Sequence, residues 1–228
     1  MVVTLLRQIP VVKPIRSDCE NRKRRRCVGE SLRGNVGVLY RNHINIVGQN
    51  GAHVAESASY TGNRDPRFVT IRRGGTLDDE THHLLAVWSA DCAARVLHLY
   101  ERDHPDDERP RTAIEQAREW AQGKITMTHA REAAYAAHDA AREASGAARE
   151  AARAAGHAVA TAHMADHELG GAAYAIRAVR AATAADVRDK AGRAECQWQR
   201  SHLPDAIREL VLDDQRLRNR KLWSLFDC

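Results

Sequence analysis

Four residues in one alanine-rich run have the chemistry of a metal site. They are His157, His163, Asp166 and His167 in "AGHAVATAHMADHELGGAAYA" (Ala155–Ala175). Imidazole nitrogens and carboxylates ligate zinc, and two histidines four apart on one helix can chelate a single ion. At about 100° per residue, His163 and His167 would lie about 40° apart, with Asp166 about 60° to the other side of His163. His157 would lie about 120° away, facing a different neighbour. A third ligand would have to come from Asp91, beside Trp88 and Cys92, or from His138.

The known metal patterns are incomplete. A zinc peptidase needs H-E-x-x-H, with the glutamate as base. Here Met164 follows His163, and "HELGG" (His167–Gly171) ends in glycine where the second histidine belongs. Ferritin-like di-iron sites need Glu-x-x-His pairs on different helices. The pairs Glu80–His83 and Glu101–His104 fall at opposite ends of one predicted helix. A rise of about 1.5 Å per residue puts them roughly 30 Å apart. The alternative is that the histidines satisfy one another as buried polar groups across close-packed helices. That reading is carried forward, with no catalytic, cofactor-binding or metal-ligating residue assigned.

Other chemistry is sparse. There is no G-x-S-x-G and no phosphate-cradling G-x-x-x-x-G-K-[ST]. Cys92, on the apolar face of a helix, reads as a core thiol. Asp103, Asp106, Asp107 and Glu108 form an acidic turn able to meet a basic partner, or simply a solvated connection. "RLRNRK" (Arg216–Lys221) reads as a solvated tail.

The elements that would position these residues are helical. "TLDDETHHLLAVWSADCAARVLHLYE" begins at Thr76, a candidate N-cap, and repeats apolar residues at three-four spacing through Leu84, Leu85, Trp88, Cys92, Val96 and Leu99. A second helix is expected over 111–122, ended by Gly123. A third, capped by Thr126 or Thr128, runs to about 145, and a fourth spans 147–168. Gly170 and Gly171 should break it from a fifth, 172–202, bent near Gly192. Pro204 opens a short sixth, followed by a tail in which Leu222, Trp223, Leu225 and Phe226 can dock. Alanine fills 26 of the 56 positions from 130 to 185. It is the strongest helix former, and its small side chain lets helix axes approach closely. The expected fold is all-α, a bundle of about five to six alanine-rich helices over 68–228.

The first 67 residues differ. Residues 1–70 carry 12 Lys+Arg against 5 Asp+Glu, whereas 71–228 carry 23 against 25, so the net charge of +5 resides wholly at the N-terminus. Nucleic-acid binding by the helical part is therefore not indicated. The run "NRKRRR" (Asn21–Arg26) and scattered glycines give 1–67 the composition of a disordered basic extension, with "GVLYRNHINIV" (Gly37–Val47) as a possible strand region. An alternative is a native start near Asp65–Arg73, with Val69 as first residue. Five widely spaced cysteines without C-x-x-C support neither a zinc ribbon nor a disulfide framework. No apolar run is long enough for a membrane span or a secretion signal. A reduced cytoplasmic protein is expected.

Read in order, "RFVTIRRGGTL" (Arg67–Leu77), "LLAVWSADCAARVL" (Leu84–Leu97), "HPDDERPRTAIEQAREWAQGKI" (His104–Ile125), the histidine run Ala155–Ala175 and "LPDAIRELVLDDQRLRN" (Leu203–Asn219) resemble the Imm-five-like immunity protein family of bacterial polymorphic toxin systems. The resemblance covers about 65–228. It implies an α-helical, non-catalytic cytoplasmic protein whose partner is a cognate protein toxin. It carries no binding or catalytic residues to transfer, and no cofactor. Two other function classes are consistent with the residues: a helical-bundle metalloenzyme built on His163 and His167 with Asp91 or His138, and nucleic-acid binding through the basic N-terminal arm.

Overall fold

The computed structural model describes residues 61–228, so the expectations for Asn21–Arg26 and Gly37–Val47 lie outside the described residues. Among the described residues the order is α1 (Asp79–Val96), α2 (His98–Glu101), α3 (Arg109–Ala121), α4 (Met127–Glu143), α5 (Gly146–Ala160), α6 (Glu168–Ala182), α7 (Arg188–Ser201) and α8 (Asp205–Arg218). Single 3-10 turns occur at Pro66–Phe68, Ile71–Arg73, Ala165–His167 and Asn219–Leu222. The only strand-like pairing among these residues is an isolated bridge between Thr70 and Leu77. The all-α bundle expected from the alanine content is the fold observed.

Alanine sets how tightly the bundle closes. Helix α5 lies at its centre, packed against α1, α3, α4 and α6. Ala148, Ala151, Ala152, Ala154, Ala155, Ala158 and Val159 are all buried, a continuous apolar face about 160° wide at about 100° per residue. A face of that width lets the helix contact several neighbours at once, while Arg149 and Arg153 lie on its other side. The large anchors lie around it: Trp88 and Tyr100 from α1 and α2, Ile114 from α3, Leu169 and Ile176 from α6, and Ile207 from α8.

Local signals set most ends. The Asp78 carboxylate caps α1 by accepting from Thr81 N–H, two residues beyond the expected Thr76. Thr126 caps α4 through His129 N–H. Gly123 ends α3 in the left-handed region at φ 70°, which costs a glycine little.

The breaks around α6 fall elsewhere than expected. The chain leaves helix at Thr161–Met164, where the His82 ring donates from Nε2 to the Thr161 carbonyl at 2.7 Å. That carbonyl is therefore engaged by α1 at the point where α5 stops. Gly170 and Gly171 lie inside α6, where they admit neighbouring side chains. A Cβ on Gly170 would stand 2.5 Å from His157 Nδ1, and one on Gly171 would stand 2.2 Å from Ser89 Oγ. The expected fifth helix is two helices parted at Thr183–Val187, and Gly192 lies within α7 against Arg180.

The C-terminal tail folds back on α7. Leu225 and Phe226 are buried, and the Arg200 guanidinium donates to the carbonyls of Phe226 and Cys228 at 2.7 and 3.0 Å. Cys196 and Cys228 form a disulfide, which corrects the expectation of reduced cysteines. The pair is 32 residues apart in sequence, so only the return of the tail brings it together. Cys92 is buried and free, as expected of a core thiol.

Candidate functional site

His163 and His167 do not share a helix: His163 lies in the link after α5, and His167 closes the 3-10 turn that leads into α6. Their rings nonetheless meet, with centroids 5.3 Å apart. His167 is 5.3 Å from His157, and His157 is 5.1 Å from His138 on α4. The four rings therefore form a chain across α4, α5 and the start of α6. The Tyr174 ring stacks on His157 at 5.0 Å with the planes 16° apart. Gly156 accommodates His138 as Gly170 accommodates His157.

The cluster is uncharged at neutral pH. Burial, with His138 as the nearest further influence, holds His157 down at about 3. Burial and the Arg153 charge put His138 at about 4. Burial and His167 put His163 at about 4, and burial also lowers His167. Water-excluding walls disfavour imidazolium, and the Asp166 carboxylate offsets this only in part, at His167 and His163. Asp91, considered as a third ligand, is paired with Arg118 of α3 at 2.7 Å, and Asp166 is paired with Arg64 at 3.1 Å. Among the described residues no three His, Cys, Asp or Glu side chains converge as a metal-holding group. The rings pack on one another, with His138 and His157 filling the space left by Gly156 and Gly170.

A second polar network lies beside it. Glu168 is fully buried, and burial raises its carboxyl well above the usual range, against the opposing Arg218 charge. The Arg218 guanidinium, from the end of α8, donates to Glu168 Oε1 at 2.9 Å, to the Asp166 carbonyl at 2.7 Å, and to Asp214. The network fixes the last turn of α8 against the start of α6.

The acidic turn has a different character. Asp106, Asp107, Glu108, Arg109, Thr112 and Gln116 line one side of a cavity of about 570 Å3, and His129, Glu132, Ala133 and Ala136 of α4 line the other. Asp107 is committed to the fold. It accepts from Tyr100 Oη at 2.5 Å and from Arg109, whose hydrogen bonds hold its carboxyl well below the usual range. Arg109 is occupied by Asp107 and Glu143. Asp106, Glu108 and Glu132 have no ion pair among the described residues, and all three are exposed. The sequence revealed the turn but not Glu132 or Gln116. Their only signal was helical spacing, with His129, Glu132 and Ala136 on one face of α4.

The family model described as Imm-5 like putative immunity protein matches residues 75–206. That is more than half of the chain, running from the link before α1 into the first turn of α8. The chain belongs to this family. No curated protein and no solved structure was found to match. Both the histidine cluster and the acidic groove lie within the matched span.

Proposed function

We propose that this member of the immunity protein family binds a cognate bacterial toxin in the cytoplasm and neutralises it by occlusion, without catalysis. The observation that carries the reading beyond family membership is the α3–α4 groove. It presents the unpaired carboxylates Asp106 and Glu108 from the turn leading into α3 and Glu132 from α4, while its one arginine is already neutralised by Asp107 and Glu143. A surface of this sign suits a basic active site on the partner, because complementary charge steers encounter and penalises wrong partners. The histidine cluster, neutral and closely packed, supports the groove from the opposite face of α4 as framework.

The test is native mass spectrometry of the tagged full chain captured from its host, followed by co-expression. The expected result is a stoichiometric protein partner whose toxicity in a naive host is suppressed by this chain. A partner whose toxicity is unaffected, or a chain that comes out alone while its host carries active toxins of this system, sinks the proposal.

A further inference from the structure

A second cavity, of about 530 Å3, opens beside the end of α3 and Met127 at the start of α4, where four separate stretches of chain meet. The turn from Phe68 to Arg73 forms one wall, and the first turns of α1 add Asp79, His82 and His83. The end of α3 and the following link contribute Trp120, Gly123 and Ile125, and the α5–α6 link contributes Ala162, His163 and Met164. This volume is in the range of small-ligand pockets, which are mostly apolar with a few placed polar groups.

Its chemistry has two parts. One is aromatic: the Trp120 indole stands edge-on to His82 at 4.7 Å and to His83 at 4.9 Å, and Phe68, Val69, Ile125 and Met164 continue the apolar lining. The other is cationic: Arg64, Arg72 and Arg73 are among the lining residues, with Asp79 as the single acidic one. Arg72 is paired with Asp79 at 2.5 Å and Arg64 with Asp166. Arg73 is exposed and has no ion pair among the described residues.

We infer that this cavity binds a small anion that carries a planar ring, of the size and chemistry of a nucleoside monophosphate. The ring lies against Trp120 and His83, and Arg73 meets the charge. The site is separate from the acidic groove, so its occupancy does not depend on the proposed toxin binding.

The test is isothermal titration calorimetry of the full chain with AMP, GMP, CMP, UMP, phenyl phosphate and inorganic phosphate. The expected result is saturable binding of at least one ring-bearing phosphate, at least tenfold tighter than inorganic phosphate. Arg73→Ala should weaken it about tenfold, and Arg73→Lys should restore part of the loss, since a single exposed charge-assisted contact is at stake. Arg73 is exposed, so these variants should keep the fold, with circular dichroism as the check. No binding by any ring-bearing probe overturns the inference, as does equal binding of inorganic phosphate or an affinity indifferent to Arg73→Ala.

Discussion

His157 lies against the backbone of Gly170 so closely that a methyl group on that glycine would stand 2.5 Å from its Nδ1. The glycine therefore acts as a socket for an imidazole. Alanine at a helix interior ordinarily gains up to about 1 kcal/mol over glycine. Here Gly170→Ala should instead cost about 1–3 kcal/mol, the usual range for overpacking a filled core. Urea unfolding would show it, and the sign should reverse when the same change is made on a His157→Ala background. An unchanged sign would mean that the ring does not occupy the socket.

The histidine chain makes a directional prediction about acid. The folded values of His138, His157 and His163 lie near 3 to 4, below the unfolded value of about 6.5. The unfolded chain therefore binds more protons below about pH 6.5, and stability falls with pH from there towards 4. Between pH 7 and 5 the urea midpoint should drop. In His157→Asn that slope should be shallower, because one depressed imidazole is gone. A slope unchanged by that substitution would place the titration elsewhere.

Arg218 and Glu168 are predicted to respond unequally. Removing the guanidinium in Arg218→Ala leaves the buried Asp214 without its cation and Glu168 Oε1 without its donor, and breaking comparable buried pairs costs about 3–5 kcal/mol. Glu168→Gln should cost far less, since burial already favours the uncharged carboxyl. Equal losses in thermal unfolding would contradict a neutral Glu168.

The groove yields a kinetic prediction for the toxin complex. Asp106→Lys, Glu108→Lys and Glu132→Lys together should slow association by tenfold or more at low salt, with a smaller effect on dissociation. Asp107 is left out because its bonds to Tyr100 and Arg109 hold the turn. Surface plasmon resonance at two ionic strengths reads the outcome, and an unaltered on-rate removes the groove from the interface.

The Cys196–Cys228 bridge predicts redox-dependent stability. Closing a loop of this length is worth about 3–4 kcal/mol in the chain-entropy view, less any native distortion. The reduced protein and Cys228→Ser should unfold at correspondingly lower urea. Non-reducing peptide mapping should recover the Cys196–Cys228 cross-link, and its absence from protein purified under oxidising conditions would count against the bridge.

Helix identity was legible in the sequence because it rests on local terms. Alanine content, three-four spacing along α1, the cap at Thr126 and the stop at Gly123 act within a few residues, and each is found in the fold. The all-α class and the core place of Cys92 were determined in the same way. Tertiary contacts decided what lies between helices. Gly170 and Gly171 read as a break, because local propensity counts a glycine pair as a loss, but the structure keeps them helical to receive His157 and Ser89. The helix ends instead at Thr161, whose carbonyl bonds His82, 79 residues earlier in the chain. Likewise the meeting of His138 with His157, the closure of Cys196 on Cys228, and the pairing of the acidic turn with Glu132 join residues far apart in sequence. Spacing along a single chain holds no record of such contacts, because which faces meet is set by how whole helices pack against one another.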